Sequence, residues 1–319
     1  MPSSRLQERF EACKAAKRCA FVSFVTAGYP SKAITVEAML ALQTNGADVI
    51  ELGVPFSDPL ADGSTIEEAS RISLEHKTSL ADCFEFVKQA RAKGLKVPVV
   101  LMGYYNNFLQ HGTDKVMTDS QDVGVDGYII VDVPAEQADE FHVKCVKHDV
   151  SLIPIVGPTS TPERMKKAAA IADTFIYVVS VLGVTGARTT VNTEVRDVVA
   201  GVRKAVEGKG VAVCVGFGVS TREHVLDIAN YADGVVVGSK IVTALGSAGG
   251  LGAMSTFVKE LSGGPLPDSA LTANPAKRQR TADAGAQSGP SKEWYFGNFG
   301  GRYIPETLMQ AHEELFQEW

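Results

Sequence analysis

Phe21-Val22-Ser23-Phe24-Val25-Thr26-Ala27-Gly28-Tyr29-Pro30 is the stretch on which the fold turns. Its first half is a short apolar β-type run, as expected of a strand buried on both faces. Its second half is the first strand-to-helix turn. A doubly wound dinucleotide-binding sheet needs Gly-x-Gly-x-x-Gly at that turn, so that backbone can approach a pyrophosphate. Only Gly28 is present. Working outward, seven further runs of the same kind follow at 49–52, 97–102, 127–131, 152–156, 175–179, 211–215 and 234–237. They are Val/Ile-rich and mostly lack polar alternation, as parallel strands covered by helices do. Eight such units match the usual roughly 250 residues of a (β/α)8 TIM barrel. That α/β architecture is the expected fold.

Helix signals lie between the runs. Ser31 stands where it can cap a helix carrying Ile34, Ala38 and Leu42, which Gly46 can close. Ser220-Thr221-Arg222-Glu223 has the spacing of a capping box. Residues 80–92 and 135–147 read as amphipathic helices. The residues before Phe21 are expected to form an extra N-terminal helix that plugs the bottom of the barrel.

The chain has 319 residues, of which 45% are hydrophobic and 21% charged, enough to bury a sizeable core. A net charge of −6 argues against a general nucleic-acid binder. No apolar run reaches the roughly 18–20 residues of a membrane span, and the start lacks the apolar core of a secretory signal. The five cysteines (Cys13, Cys19, Cys83, Cys145, Cys214) form no C-x-x-C pair, which suits a reducing, cytoplasmic setting. The six histidines form no cluster, so no metal site is expected. Residues 1–262 are expected to form the barrel. Residues 263–291, rich in Gly, Pro, Ala and Ser and including Lys277-Arg278-Gln279-Arg280, read as a disordered linker. From Trp294 the chain turns aromatic again, so 292–319 reads as the opening of a second domain.

In a barrel the reactive groups sit at the C-terminal ends of the strands and in the loops beyond them. Glu51, in Val49-Ile50-Glu51-Leu52, is a carboxylate inside an apolar strand, where burial is costly unless the group is paired or neutralised. Facing the barrel mouth, it would have a pKa raised toward neutrality, as a general acid or base requires. The long loop after it, Gly53 to Gly63, carries Asp58 and Asp62 between helix breakers. Either could be a turn former or cap, and beside Glu51 either could complete a carboxylate pair. Gly216-Phe217-Gly218 and Gly238-Ser239 follow the last two runs, where barrels often bind phosphate through close backbone approach and helix-start N–H groups. Gly183-Val184-Thr185-Gly186-Ala187-Arg188 has the composition of a lid. Tyr177 reads as core or ligand. Asp132 reads as catalytic, supportive or a helix cap. Tyr104 and its neighbours line a pocket or form a polar turn.

These motifs resemble the α subunit of tryptophan synthase over about residues 5–262. The specific matches are the opening stretch, the run Glu51-Leu52-Gly53-Val54-Pro55-Phe56-Ser57-Asp58-Pro59-Leu60-Ala61-Asp62-Gly63, the Gly183–Gly186 loop, and the two glycine turns. The tail Tyr295-Phe296-Gly297-Asn298-Phe299-Gly300-Gly301-Arg302-Tyr303-Ile304-Pro305-Glu306 looks like the start of the β subunit, as in fused fungal enzymes. The resemblance implies a lyase that cleaves indole-3-glycerol phosphate to indole and glyceraldehyde 3-phosphate. It implies that Glu51 carries protons, Asp62 holds the indole N–H, and Tyr177 positions Glu51. It further implies that Thr185 of the lid bonds Asp62, and that backbone near Gly186, Gly218, Gly238 and Ser239 binds phosphate. Phe24, Met102, Tyr104 and Ile129 would line the indole pocket, and Asp58 would meet the β partner. No cofactor is implied for this chain; pyridoxal phosphate belongs to the β half. One departure is Ser180-Val181-Leu182, where many relatives carry Arg after the Ser. Two rivals stand beside this reading: a non-catalytic barrel that activates a β-type partner, and another phosphate-binding barrel enzyme of the same pathway. The second would usually need a strand-end lysine, which is not evident.

Overall fold

The computed structural model describes residues 4–179, 191–216, 218–266, 295–296, 299–300 and 302–318. Strands β1 (Ala20–Thr26), β2 (Val49–Gly53), β3 (Val99–Gly103), β4 (Gly127–Ile130), β5 (Ser151–Leu152), β6 (Ile155–Val156), β7 (Phe175–Val179), β8 (Ala212–Gly216) and β9 (Gly234–Val237) form one parallel sheet. Its order is β5-β4-β3-β2-β1-β9-β8-β7-β6, so the two ends of the sheet are two pieces of one run of chain. Residues 152–156 are expected as one strand but divide at Ile153-Pro154, because proline has no N–H for the ladder. Pairing continues across the break. Ile153 N donates to Tyr128 O at 2.9 Å, and Tyr177 N donates to Pro154 O at 3.0 Å. The ring therefore closes as an eight-stranded barrel.

Around it run α1 (Ser4–Ala15), α2 (Lys32–Thr44), α3 (Ser64–Glu75), α4 (Leu80–Ala92), α5 (Tyr105–His111), α6 (Thr113–Val123), α7 (Asp139–Lys147), α8 (Pro162–Ile171), α9 (Val191–Ala205), α10 (Arg222–Ile228), α11 (Ser239–Gly246) and α12 (Gly250–Ser262). Ser31 is the N-cap residue of α2, although its side chain makes no capping bond. The capping box expected at Ser220 is displaced by one residue: Thr221 caps α10 by accepting from His224 N at 3.3 Å. A true box occurs at Ser79 and Asp82 before α4. The amphipathic stretch at 135–147 opens with a 3-10 turn over Ala135–Gln137 before α7.

Strand alternation divides the core into two layers. Val22, Val49, Val100, Ile129, Ile153, Phe175, Tyr177, Cys214 and Val236 fill the inside of the ring. Ile50, Leu52, Val99, Leu101, Ile176 and Val213 pack outward against the helices. Leu6 and Phe10 of α1 join the inner cluster, so the N-terminal helix does plug the bottom.

That lower end is stitched by four aspartates that sequence reading did not single out. Asp48, Asp126, Asp173 and Asp233 each stand just before a strand and accept from a backbone N–H of the preceding one. The donors are Phe21 at 2.8 Å, Val99 at 2.9 Å, Leu152 at 3.0 Å and Val213 at 2.9 Å. Helix α1 is tied to two of them by ion pairs: Arg5 to Asp126 at 2.7 Å, and Arg9 to Asp48 at 3.6 Å. Arg18 also meets Asp48, at 2.5 Å. Removing the anion of a buried pair leaves uncompensated cations, so Asp48→Asn should lower unfolding stability by about 3 kcal/mol. Urea denaturation checks this, and an unchanged midpoint would contradict it.

Beyond Leu266 the described chain resumes with an antiparallel pair, β10 (Tyr295–Phe296) and β11 (Phe299–Gly300), and with α13 (Met309–Glu318) behind a 3-10 turn at Glu306–Leu308. Among the described residues no helix is long and apolar enough to cross a membrane.

Candidate active site

Glu51 shares the alternation of β2 with Val49, which places it inside the ring while Ile50 and Leu52 face the helices. Its partners in register are Phe24 on β1 and Val100 on β3, both buried and apolar. It is 1% exposed, and its Oε1 has no hydrogen-bond partner. Burial alone pushes its carboxyl up to about 8, so the acid is protonated at neutral pH. Tyr177 on β7 lies in the same inner layer, and its phenol is held well above its ordinary range by burial, then by the nearby charges of Glu51, Cys214 and Asp62. Glu51 and Asp62 are therefore both within electrostatic reach of one tyrosine. Gly216 keeps that tyrosine in place, since a Cβ there would strike its hydroxyl and Val236.

The loop after β2 brings Asp62 to the mouth. Ala61 N donates to the Tyr104 hydroxyl at 3.0 Å, and Phe56 stacks on Tyr104 with ring centroids 4.9 Å apart. Asp62 is half-buried, and its carboxyl is raised to about 7, chiefly by burial and further by Glu67, while the Tyr104 hydrogen bond pulls it back. The resemblance placed Tyr104 in the indole pocket. It is also the partner of Asp62, a role that sequence reading missed. Asp58 sits apart, exposed and accepting from Ser57 Oγ at 2.5 Å. Asp132 accepts from Tyr105 N at 2.7 Å and so supports the start of α5.

The expected apolar pocket residues converge through Met102. It packs with Phe24 in one cluster and with Ile129 and Tyr177 in another. Gly53 must be glycine-sized, because a Cβ there would lie 2.5 Å from Phe24 Cζ. Gly218 follows β8 with φ +74°, a left-handed conformation suited to glycine. Gly238 precedes Ser239, the first residue of α11, so free N–H groups end at the same rim. Thr185 and Gly186, the lid and third phosphate positions, lie outside the described residues. A cavity of about 870 Å³, lined by Phe10, Lys14, Arg18 and Asp233, lies at the lower end of the barrel and contains none of these groups. Among the described residues no cluster of His, Cys, Asp or Glu is arranged to hold a metal ion.

A closed parallel barrel with one acid, Glu51, buried inside its ring and a second, Asp62, in the loop beyond β2 has the make-up of an acid–base barrel enzyme. Residues 10–261 match the family model of the tryptophan synthase alpha chain, and the chain belongs to that family. The family catalyses the indole-3-glycerol phosphate lyase reaction of tryptophan biosynthesis. Among relatives, the alpha chain of Geobacter sulfurreducens is 45% identical over 239 residues, covering 75% of this chain and 89% of that one. The tryptophan synthase of Saccharomyces cerevisiae is 39% identical over 330 residues, covering 98% of this chain and 46% of the yeast protein, so the chain spans about half of that relative. Among solved structures, tryptophan synthase from Mycobacterium tuberculosis in its aminoacrylate-bound form superposes with a TM-score of 0.73 at 34% identity, covering 81% of this chain and 98% of that one.

Proposed function

We propose that Glu51 and Asp62 carry the lyase reaction of this barrel on indole-3-glycerol phosphate. The single observation that supports it best is Glu51: an acid inside an apolar ring, protonated at neutral pH, with one oxygen unbonded. Glu51 delivers its proton to indole C3, and the positive charge that appears on the ring is met at the N–H by the Asp62 carboxylate. Glu51 then takes the proton of the glycerol hydroxyl next to the scissile bond. The electron pair of the carbon–carbon bond returns to the ring, the hydroxyl carbon becomes an aldehyde, and Glu51 ends protonated as it began. Tyr177 steadies Glu51. Phe24, Met102, Tyr104 and Ile129 would hold the indole between apolar surfaces, backbone near Gly186, Gly218, Gly238 and Ser239 would bind the phosphate, and Thr185 would hydrogen-bond Asp62.

Residues 263–291 we read as a linker and 292–319 as the opening of a β-type unit, a reading supported by similarity to the yeast protein across 98% of the chain. Asp58, exposed on the mouth loop, would meet that β-type partner. Indole would pass to the partner, whose pyridoxal phosphate belongs to the β half and not to this barrel. Five free cysteines and the net charge of −6 fit a cytoplasmic protein. The test is indole release by the purified chain from indole-3-glycerol phosphate, with and without an added β partner. Equimolar indole and glyceraldehyde 3-phosphate are expected, severalfold faster with the partner. No indole under either condition would overturn the reading.

A further inference from the structure

The end of the barrel opposite the mouth holds a cavity of about 870 Å³ that the proposed reaction does not use. That volume lies within the roughly 300–1,000 Å³ of small-molecule sites. Its walls come from α1 and the turn after it, the start of β8, α10, and the chain that follows α12. Gly263 and Gly264 follow α12 with φ +78° and +95°, left-handed conformations that suit glycine. They turn the chain so that Leu266 is only 9% exposed and packs with Phe10, Ala12, Cys13 and Ala20. A Cβ at Gly263 would lie 3.1 Å from Arg222 Nη2, so glycine leaves room for that guanidinium, which donates to Leu261 O. Two polar atoms of the wall residues, Thr174 Oγ1 and Arg18 Nε, are buried and unbonded, which is rare in native folds.

The lining combines two chemistries. Lys14, Lys17, Arg18, Arg203 and Arg222 supply five cations, against three carboxylates from Glu11, Asp173 and Asp233. The whole chain carries −6, so this local excess of positive charge runs against the global balance. The carboxylates are already engaged. Asp233 meets Arg203 at 3.1 Å, Asp173 meets His142 at 3.2 Å, and Glu11 accepts from Gln7 Nε2 at 3.2 Å. Arg18 is held by Asp48, but Lys14 and Lys17 are exposed and form no ion pair among the described residues. The rest of the wall is apolar, with Phe10, Val211, Val225 and a half-exposed Leu226. Unpaired cations beside open apolar surface match an anionic head joined to an apolar body. We propose that this cavity is a second binding site, for a small organic anion whose head is met by Lys14 and Lys17 and whose body lies against Phe10, Val225 and Leu226. The nearby basic tetrad Lys277-Arg278-Gln279-Arg280 repeats the charge of those lysines and does not complement it.

The experiment titrates the full chain with 8-anilinonaphthalene-1-sulfonate, an aromatic anion whose fluorescence rises in an apolar site. One saturable site per chain is expected, weakened by salt as contacts to exposed charges are. The double variant Lys14→Ala/Lys17→Ala should weaken binding by about tenfold, through the loss of two partly screened contacts. Leu226→Ser should weaken it severalfold by removing apolar wall. Lys88→Ala/Lys96→Ala, which removes the same charge from exposed positions at and just beyond α4, should leave binding unchanged. Urea midpoints equal to the parent's separate a loss of binding from a loss of fold. Phenyl phosphate should displace the dye about tenfold more effectively than inorganic phosphate or benzyl alcohol, because each of those offers one half of the match. The absence of a saturable site, or dye binding that survives intact in both cavity variants, would overturn the proposal. So would displacement by inorganic phosphate or benzyl alcohol as strong as by phenyl phosphate.

Discussion

Glu51→Gln is expected to abolish indole release, by roughly 10²–10⁴-fold or more, and at the same time to make the barrel harder to unfold at neutral pH. Glutamine keeps the shape and loses the transferable proton, so substrate-analogue binding should survive. The gain in stability follows from linkage. Below about pH 4.5 the carboxyl is protonated in folded and unfolded chains alike, and its burial has no pH consequence. As pH rises from 4.5 to about 8, the unfolded chain gives up this proton while the folded chain keeps it, so ionisation increasingly favours unfolding. Above about 8 that loss is complete. At pH 7 it amounts to roughly 3 kcal/mol, which the variant does not suffer. Urea unfolding of both proteins at pH 5 and pH 8 measures it. A stability difference that fails to widen between those two pH values would show that Glu51 is not the neutral, buried acid described here.

Asp62→Asn is expected to reduce kcat/KM by about 10²–10³, the usual consequence of losing one charge aimed at a developing opposite charge. Its pH signature is sharper than its size. In the proposed reaction Asp62, its carboxyl raised by burial to about 7, meets the cationic indole in its ionised form, whereas Glu51, raised by burial to about 8, acts in its protonated form. The wild-type profile of kcat/KM should be a narrow bell between these values, whose apparent limits belong to the interacting groups together. Asp62→Asn should flatten the acidic limb and leave the basic one. A variant with near wild-type activity, or with both limbs intact, would demote Asp62 to a structural role.

The ring of strands was legible because burial on both faces leaves a visible mark, the short unbroken Val/Ile run. Pro154 broke one such run without opening the barrel, since the carbonyls and N–H groups on either side still reached their neighbours. Glu51 was legible for a related reason: one charge in an apolar strand has few explanations. Asp62 depended on context, because an aspartate between Pro59 and Gly63 looks like any turn former until Tyr104 is seen against it. Asp48, Asp126, Asp173 and Asp233 passed unnoticed, although together they precede alternate strands of the eight-stranded barrel. Their meaning lies in bonds to the strand before, which no local pattern records.

Periodicity, turn chemistry and one misplaced acid were thus sufficient for the barrel, its polarity and the acid proposed to carry its protons, because each is written within a few consecutive residues. The raised pKa values of Glu51 and Asp62 and the partnership of Tyr104 with Asp62 arise from groups on different strands and loops. Desolvation and hydrogen bonding act over a few ångströms of space, not along the chain, so these features emerge when the ring closes and brings its loops to one rim.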